Sequence, residues 1–226
     1  MLGAVGWMLG DMALVGNYMP AGEHGLLFDT YGADINTRIA AVTLQSSMSR
    51  LAVGALLGPL TIPLYLVGCW HLLQGVKPAG KAFAIPAIAL LFVGHAYSPL
   101  GHAGFYYVAA VYKTILATDA SAHPALLTLA AQFSKVLFTM YVAAVGCLVL
   151  GLLWLIAAMA SGRSAWPRWM AVATLAAVVS AVFLDHLPLP QPARAWLGGA
   201  GINIAWFLIF FMSTTVLWNS RKPSDA

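Results

Sequence analysis

Between Phe83 and Leu116 the chain carries a single charged residue, Lys113, yet the run from His95 to Tyr107 holds two histidines, Ser98, Pro99 and three tyrosines. About 20 apolar residues suffice to span the hydrocarbon core of a bilayer. The stretch therefore has to sit in a membrane with its ionisable groups inside. Such groups are costly at that depth and are functional candidates by default. The rest of the chain agrees: 61% of its 226 residues are hydrophobic, only 8% are charged, and the mean hydropathy is +0.84. Soluble domains carry roughly a quarter charged residues. The net charge of +4 is not gathered into the Lys/Arg cluster that nucleic-acid binding requires. Cys69 and Cys147 lie in apolar runs without a CxxC motif and read as small buried hydrophobes.

The expected architecture is an all-α, polytopic membrane bundle forming one domain over residues 1–226. Six spans are expected, at about 2–19, 49–73, 83–116, 125–160, 169–187 and 196–218. Segment one lacks a basic flank and is interrupted by Asp11, so it reads as a retained helix and not a signal peptide. Pro20-Ala21-Gly22 should end it. The loop at 20–48 is too polar to cross and is expected to fold over one mouth of the bundle. Pro59 and Pro63 in segment two, and Pro99 in segment three, are expected to bend their helices. Six spans put both termini on one side, with Lys77, Lys81, Arg163, Arg168, Arg221 and Lys222. Glu23, Asp29, Asp34, Asp119 and Asp185 fall on the other side, offset by Arg38, Arg50, Lys113 and Arg194. The positive-inside rule makes the termini cytoplasmic, as in a bacterial inner-membrane protein.

Helical spacing puts His95, Ser98, His102, Tyr106 and Lys113 on one face of segment three. Thr128, Gln132, Lys135 and Thr139 share a face of segment four. Lys135, some three turns in, should point into the bundle, and Asp11 is its expected carboxylate partner. Asn203 and Trp206 share a face of segment six. Arg50 opens segment two at the outer mouth, where it could meet a headgroup. Trp70 and His71 read as an interfacial anchor. Asp11, His95, His102, Gln132, Lys135 and Asn203 come from four helices yet fall between mid-membrane and the outer half. Together they predict a polar chamber.

Two uses of the chamber follow. In an intramembrane enzyme acting on a lipid-like or isoprenoid substrate, His102 or His95 would be the acid/base and Asp11 its partner. Lys135 or Asn203 would stabilise developing charge, with Trp206, Gln132, Tyr106, Ser98 and Arg50 lining the substrate. In a binding or transport protein the same groups would hold a ligand or relay protons, and proline-broken helices would suit that role. A metal centre is a third, minor reading. His95 and His102 stand about 10 Å apart on a straight helix, too far to share one zinc ion, whereas His102 with His186 could hold haem. The residues name no cofactor. The expected partners are membrane lipids and a lipid-like small molecule, not nucleic acid.

Two stretches carry a resemblance: Gly58-Pro59-Leu60-Thr61-Ile62-Pro63-Leu64-Tyr65-Leu66-Val67-Gly68-Cys69-Trp70-His71-Leu72, and Asn203-Ile204-Ala205-Trp206-Phe207-Leu208-Ile209-Phe210-Phe211-Met212-Ser213-Thr214. With Leu9-Gly10-Asp11 they resemble a family of uncharacterised bacterial six-helix membrane proteins, a likeness that implies the fold and no activity. More remotely, the spacing of Asn203 and Trp206 is similar to that in the emopamil-binding-protein family of sterol isomerases. That similarity implies lipid isomerisation, although the acidic catalytic residues of that family have no counterpart after His95 or His102.

Overall fold

The structure is a computed structural model that describes residues 1–15 and 22–219. Among these the chain is helical and contains no strand. Its seven α-helices are α1 (Leu2–Leu14), α2 (Thr37–Thr43), α3 (Met48–Val76), α4 (Lys81–Ala117), α5 (His123–Ala160), α6 (Trp169–Phe183) and α7 (Ala193–Asn219). Five of them, α3 to α7, are long and apolar enough to cross a membrane, α6 together with the short turn that follows it. The protein is thus an integral membrane protein. Helix α1 has 13 residues, about 20 Å, and is shorter than a core of roughly 30 Å. The expected extension of segment one to Met19, its end at Pro20-Ala21, and the basic residues Arg221 and Lys222 lie outside the described residues.

Local chemistry sets the helix ends. Ser47 caps α3 by accepting from Arg50 N at 3.2 Å, and Asn36 caps α2 by accepting from Ile39 N at 2.9 Å. Gly80, at φ +94°, makes the reversal into α4 that a side chain would resist. Neither α3 nor α4 is broken at its prolines: α3 runs through Pro59 and Pro63, and α4 through Pro86 and Pro99.

Glycines bring the helices together. A Cβ at Gly54 would come within 2.8 Å of both Gly10 O and Leu14 N, so α1 lies backbone to backbone on α3. Gly94, Gly104 and Gly151 play the same part between α4 and α5, which form the most extensive helix pair. With no hydrophobic drive between helices in lipid, such close contact is what holds them. At one end of the bundle Trp166 packs against Gly75 and donates to Ser213 Oγ at 3.0 Å. His71 bonds the same hydroxyl at 3.0 Å, while Trp70, Trp169 and Trp218 are exposed there. Of the expected anchor pair, then, Trp70 faces outward and His71 is tied into the bundle. Cys69 is buried and Cys147 half-buried, and both are free thiols.

The opposite end is uneven. Helix α5, with 38 residues, is about 57 Å long, whereas α6, with 15, is about 22 Å. The α4–α5 hairpin therefore extends well past the end of α6. The chain between α1 and α3 packs on this extension, burying Leu27, Ile39, Ala40 and Leu44 against Val108, Tyr112, Ile115 and Ala130. Tyr31 OH bonds His123 Nδ1 at 3.0 Å, Asn36 N donates to Tyr112 OH at 2.7 Å, and Lys113 Nζ donates to Leu44 O.

Replacing Gly54 with Ala would force α1 off α3, because the obstructing atoms are backbone. Gly54→Ala should cost about 1–3 kcal/mol in thermal or denaturant unfolding of the detergent-solubilised protein. Gly146→Ala, where a Cβ meets nothing within 4 Å, should be neutral or stabilising by up to about 1 kcal/mol.

Candidate functional site

Against the contact of α1 and α3 sits a chain of buried polar side chains. His102 of α4 places Nδ1 3.3 Å from Asp11 Oδ1 and Nε2 2.9 Å from Gly54 O. Asn203 of α7 donates from Nδ2 to Asp11 Oδ2 at 2.6 Å, and its Oδ1 accepts from Tyr65 OH of α3 at 2.6 Å. Four helices thus converge on one carboxylate. The ring of Tyr65 stacks on His95, centroids 4.3 Å apart, and Trp206 meets His95 edge-on at 4.9 Å. Trp7 stands 4.8 Å from His102, ring to ring. The glycines make room: a Cβ at Gly58 would lie 2.7 Å from the His102 ring, and one at Gly10 would lie 3.3 Å from its Nε2.

The hydrogen-bond pattern counts the protons. The Gly54 carbonyl only accepts, so Nε2 of His102 carries a hydrogen. Nδ1 then lies 3.3 Å from Asp11 Oδ1, close enough for imidazole and carboxyl group to exchange a proton.

This network borders a cleft of about 970 Å³, at the upper end of the range for small-molecule sites. Trp7, Asp11, Tyr65, His95, Ser98, His102, Asn203 and Trp206 line its polar part. Its long walls are apolar, made by Phe138, Tyr141, Leu148 and Leu152 of α5, Val178 and Val182 of α6, and Ile202 of α7. Val182 and Phe138 are exposed as well as lining, so this is an open cleft and not a sealed chamber. At its rim Arg38 of α2 pairs with Asp185 at 3.7 Å. Two polar nitrogens on the wall have no partner: the indole donor Trp7 Nε1 and the imidazole Nε2 of His95, in residues only 6% and 3% exposed. Leaving a buried polar group unpaired costs about 1–3 kcal/mol.

Of the residues expected at the site, Asp11, His95, His102, Ser98, Asn203 and Trp206 are brought together here. The hydroxyl of Ser98 turns back on Gly94 O at 2.8 Å. Others lie elsewhere. Lys135 and Gln132 are on the exposed face of α5, and Lys135 borders a shallow hollow with Asp34 and Asn36. Lys135 points away from the cleft and so meets no carboxylate of the bundle interior. The expected pairing of Asp11 with Lys135 is replaced by His102 and Asn203. Arg50 donates to Met12 O at 2.7 Å and Val15 O at 3.2 Å and stacks over Trp196. It closes the C-terminal end of α1 and does not line the cleft. Tyr106 packs with Leu14, Leu51 and Ala109. His186 is exposed at the mouth, and both nitrogens of His102 are engaged, so the two are not poised as a haem pair. Among the described residues no three His, Cys, Asp or Glu side chains cluster to hold a metal ion.

Sequence reasoning passed over Tyr65, Trp7 and the glycines at 10, 54 and 58. The signal for the glycines was present, since Gly3, Gly6 and Gly10 recur on one face of segment one.

Substitution at position 11 separates the proton from the hydrogen bonds. In Asp11→Asn the new amide donates to His102 Nδ1 and its carbonyl still accepts from Asn203, so stability should stay within about 1 kcal/mol of wild type. Asp11→Leu strands the Asn203 donor and should cost about 1–3 kcal/mol in the same unfolding measurement.

No curated protein and no solved structure matches the chain. The sequence profile of a family of unknown function (DUF6796) matches residues 1–220, so the chain belongs to that family.

Proposed function

We propose that this protein is an intramembrane acid/base enzyme that takes a lipid-like or isoprenoid substrate into the cleft. The observation that carries this reading is the Asp11–His102 contact, 3.3 Å between carboxyl oxygen and imidazole nitrogen, at the polar end of a largely apolar cleft of about 970 Å³. The apolar walls suit a hydrocarbon chain. The pair exchanges a proton, and His95, whose Nε2 is free, is the group that meets the substrate. Removing a proton at one carbon and returning one at another shifts a double bond, needs no oxidant, and fits positioned acids and bases. The remote similarity of Asn203 and Trp206 to the sterol-isomerase pattern points the same way.

The proposed setting is a bacterial inner membrane with both termini cytoplasmic. Lys77, Lys81, Arg163 and Arg168 occupy turns at the end of the bundle that carries the exposed tryptophans. Six crossings would need segment one to run beyond Leu14. A carrier for the same ligand is the second reading, favoured by the engagement of both His102 nitrogens, which makes a rigid recognition wall.

Protein purified in detergent should retain a lipid-like molecule detectable by native mass spectrometry, and Ala144→Phe, which fills the cleft wall, should release it. On incubation in D₂O the retained molecule should gain deuterium at carbon. Asp11→Asn should slow that gain by about 10²–10⁴-fold. Retention without deuterium uptake would make the protein a carrier, and no retained molecule would defeat both readings.

A further inference from the structure

The two unpartnered nitrogens restrict what the cleft accepts. Trp7 Nε1 and His95 Nε2 are buried, lack any hydrogen-bond partner, and belong to residues that line the same cleft. They flank Tyr65, whose ring lies 6.1 Å from Trp7 and 4.3 Å from His95. An indole N–H donates and never accepts. Its missing partner is therefore an acceptor atom, and in a lipid that atom is oxygen.

Charge narrows the class further. Arg38 is the sole lysine or arginine among the described residues lining the cleft. It stands at the rim, its side chain 82% exposed, and faces Asp185. Deeper in, both oxygens of Asp11 already take partners, His102 and Asn203. A phosphate or carboxylate drawn down to Trp7 and His95 would lose its hydration and meet no free lysine or arginine. An uncharged hydroxyl loses far less, accepts from the indole, and pairs with the imidazole nitrogen whether that nitrogen donates or accepts.

We infer that the cleft selects an uncharged amphiphile, its head a hydroxyl that accepts from Trp7 Nε1 and pairs with His95 Nε2, over the corresponding phosphate ester. This rests on the reading of the cleft as a site for a lipid-like molecule.

Farnesol and farnesyl phosphate share a chain and differ in the head, so they separate the two claims. Titrated into delipidated protein in detergent and followed by thermal shift, farnesol should stabilise the protein at concentrations at least tenfold lower than farnesyl phosphate. Trp7→Phe and His95→Phe keep the rings and remove the polar nitrogens. Each should weaken farnesol by about tenfold, the loss of one hydrogen bond. Without ligand, both variants should be at least as stable as wild type, because each removes a buried group that had no partner. Equal or tighter binding of the phosphate would overturn the uncharged-head assignment while leaving the lipid cleft standing. Undiminished farnesol binding by both variants, or their destabilisation without ligand, would show that these nitrogens are not the head-group contacts. If neither probe shifts the wild-type protein, the lipid cleft itself falls and this inference falls with it.

Discussion

Everything around the cleft depends on keeping Asp11 inside a low-dielectric bundle. A lone carboxylate there would be penalised by far more than any single packing contact returns. The fold answers with two partners: His102 from α4 on one oxygen and Asn203 from α7 on the other. Tyr65 then orients Asn203, since its hydroxyl donates to Oδ1 and leaves the amide nitrogen to face the carboxylate. The Gly54 carbonyl does the same for His102 by claiming Nε2. Each side chain has its direction set by the next, and the chain of bonds ties α1, α3, α4 and α7 together at one depth.

That network could not assemble without the glycines. His102 reaches Gly54 O only because Gly10, Gly54 and Gly58 leave a groove where α1 meets α3. In lipid, apolar side chains gain little by meeting each other in place of acyl chains, and close backbone approach takes over as the cohesive term. The same residues that hold the bundle together thus make the space for the Asp11–His102 pair. Stability and site share a cause here.

The membrane class and the helix order could be read from hydropathy alone, because long uncharged runs have few other solutions. The facing of α4 was also legible: His95, Ser98 and His102 stand at helical spacing and do border one cleft. Depth was less accessible. Lys135 was placed by counting from the start of its own segment, which treats that end as the membrane surface. Its side chain instead lies on the exposed face of α5, beside the shallow hollow of Asp34 and Asn36. Arg50 misled for a related reason: a cation at a helix start looks available for a headgroup until the carbonyl end of α1 is found beside it. Tyr65 has no charge to mark it, and its part in orienting Asn203 exists only once α3 and α7 are side by side.

The apolar cleft and the two stranded nitrogens carry unequal weight as evidence for a ligand. A largely apolar hollow of this size in a water-soluble protein would be a serious liability. In a membrane the solvent is itself hydrocarbon, and acyl chains entering between α5 and α6 would wet those walls without any dedicated binding. Volume by itself therefore selects nothing. Unpaired polar nitrogens are different, since lipid tails offer them no hydrogen-bond partner and the cost persists however hydrocarbon fills the hollow. The specificity of the site has to come from Trp7 and His95, with the apolar walls supplying only room and the Asp11–His102 pair supplying the proton.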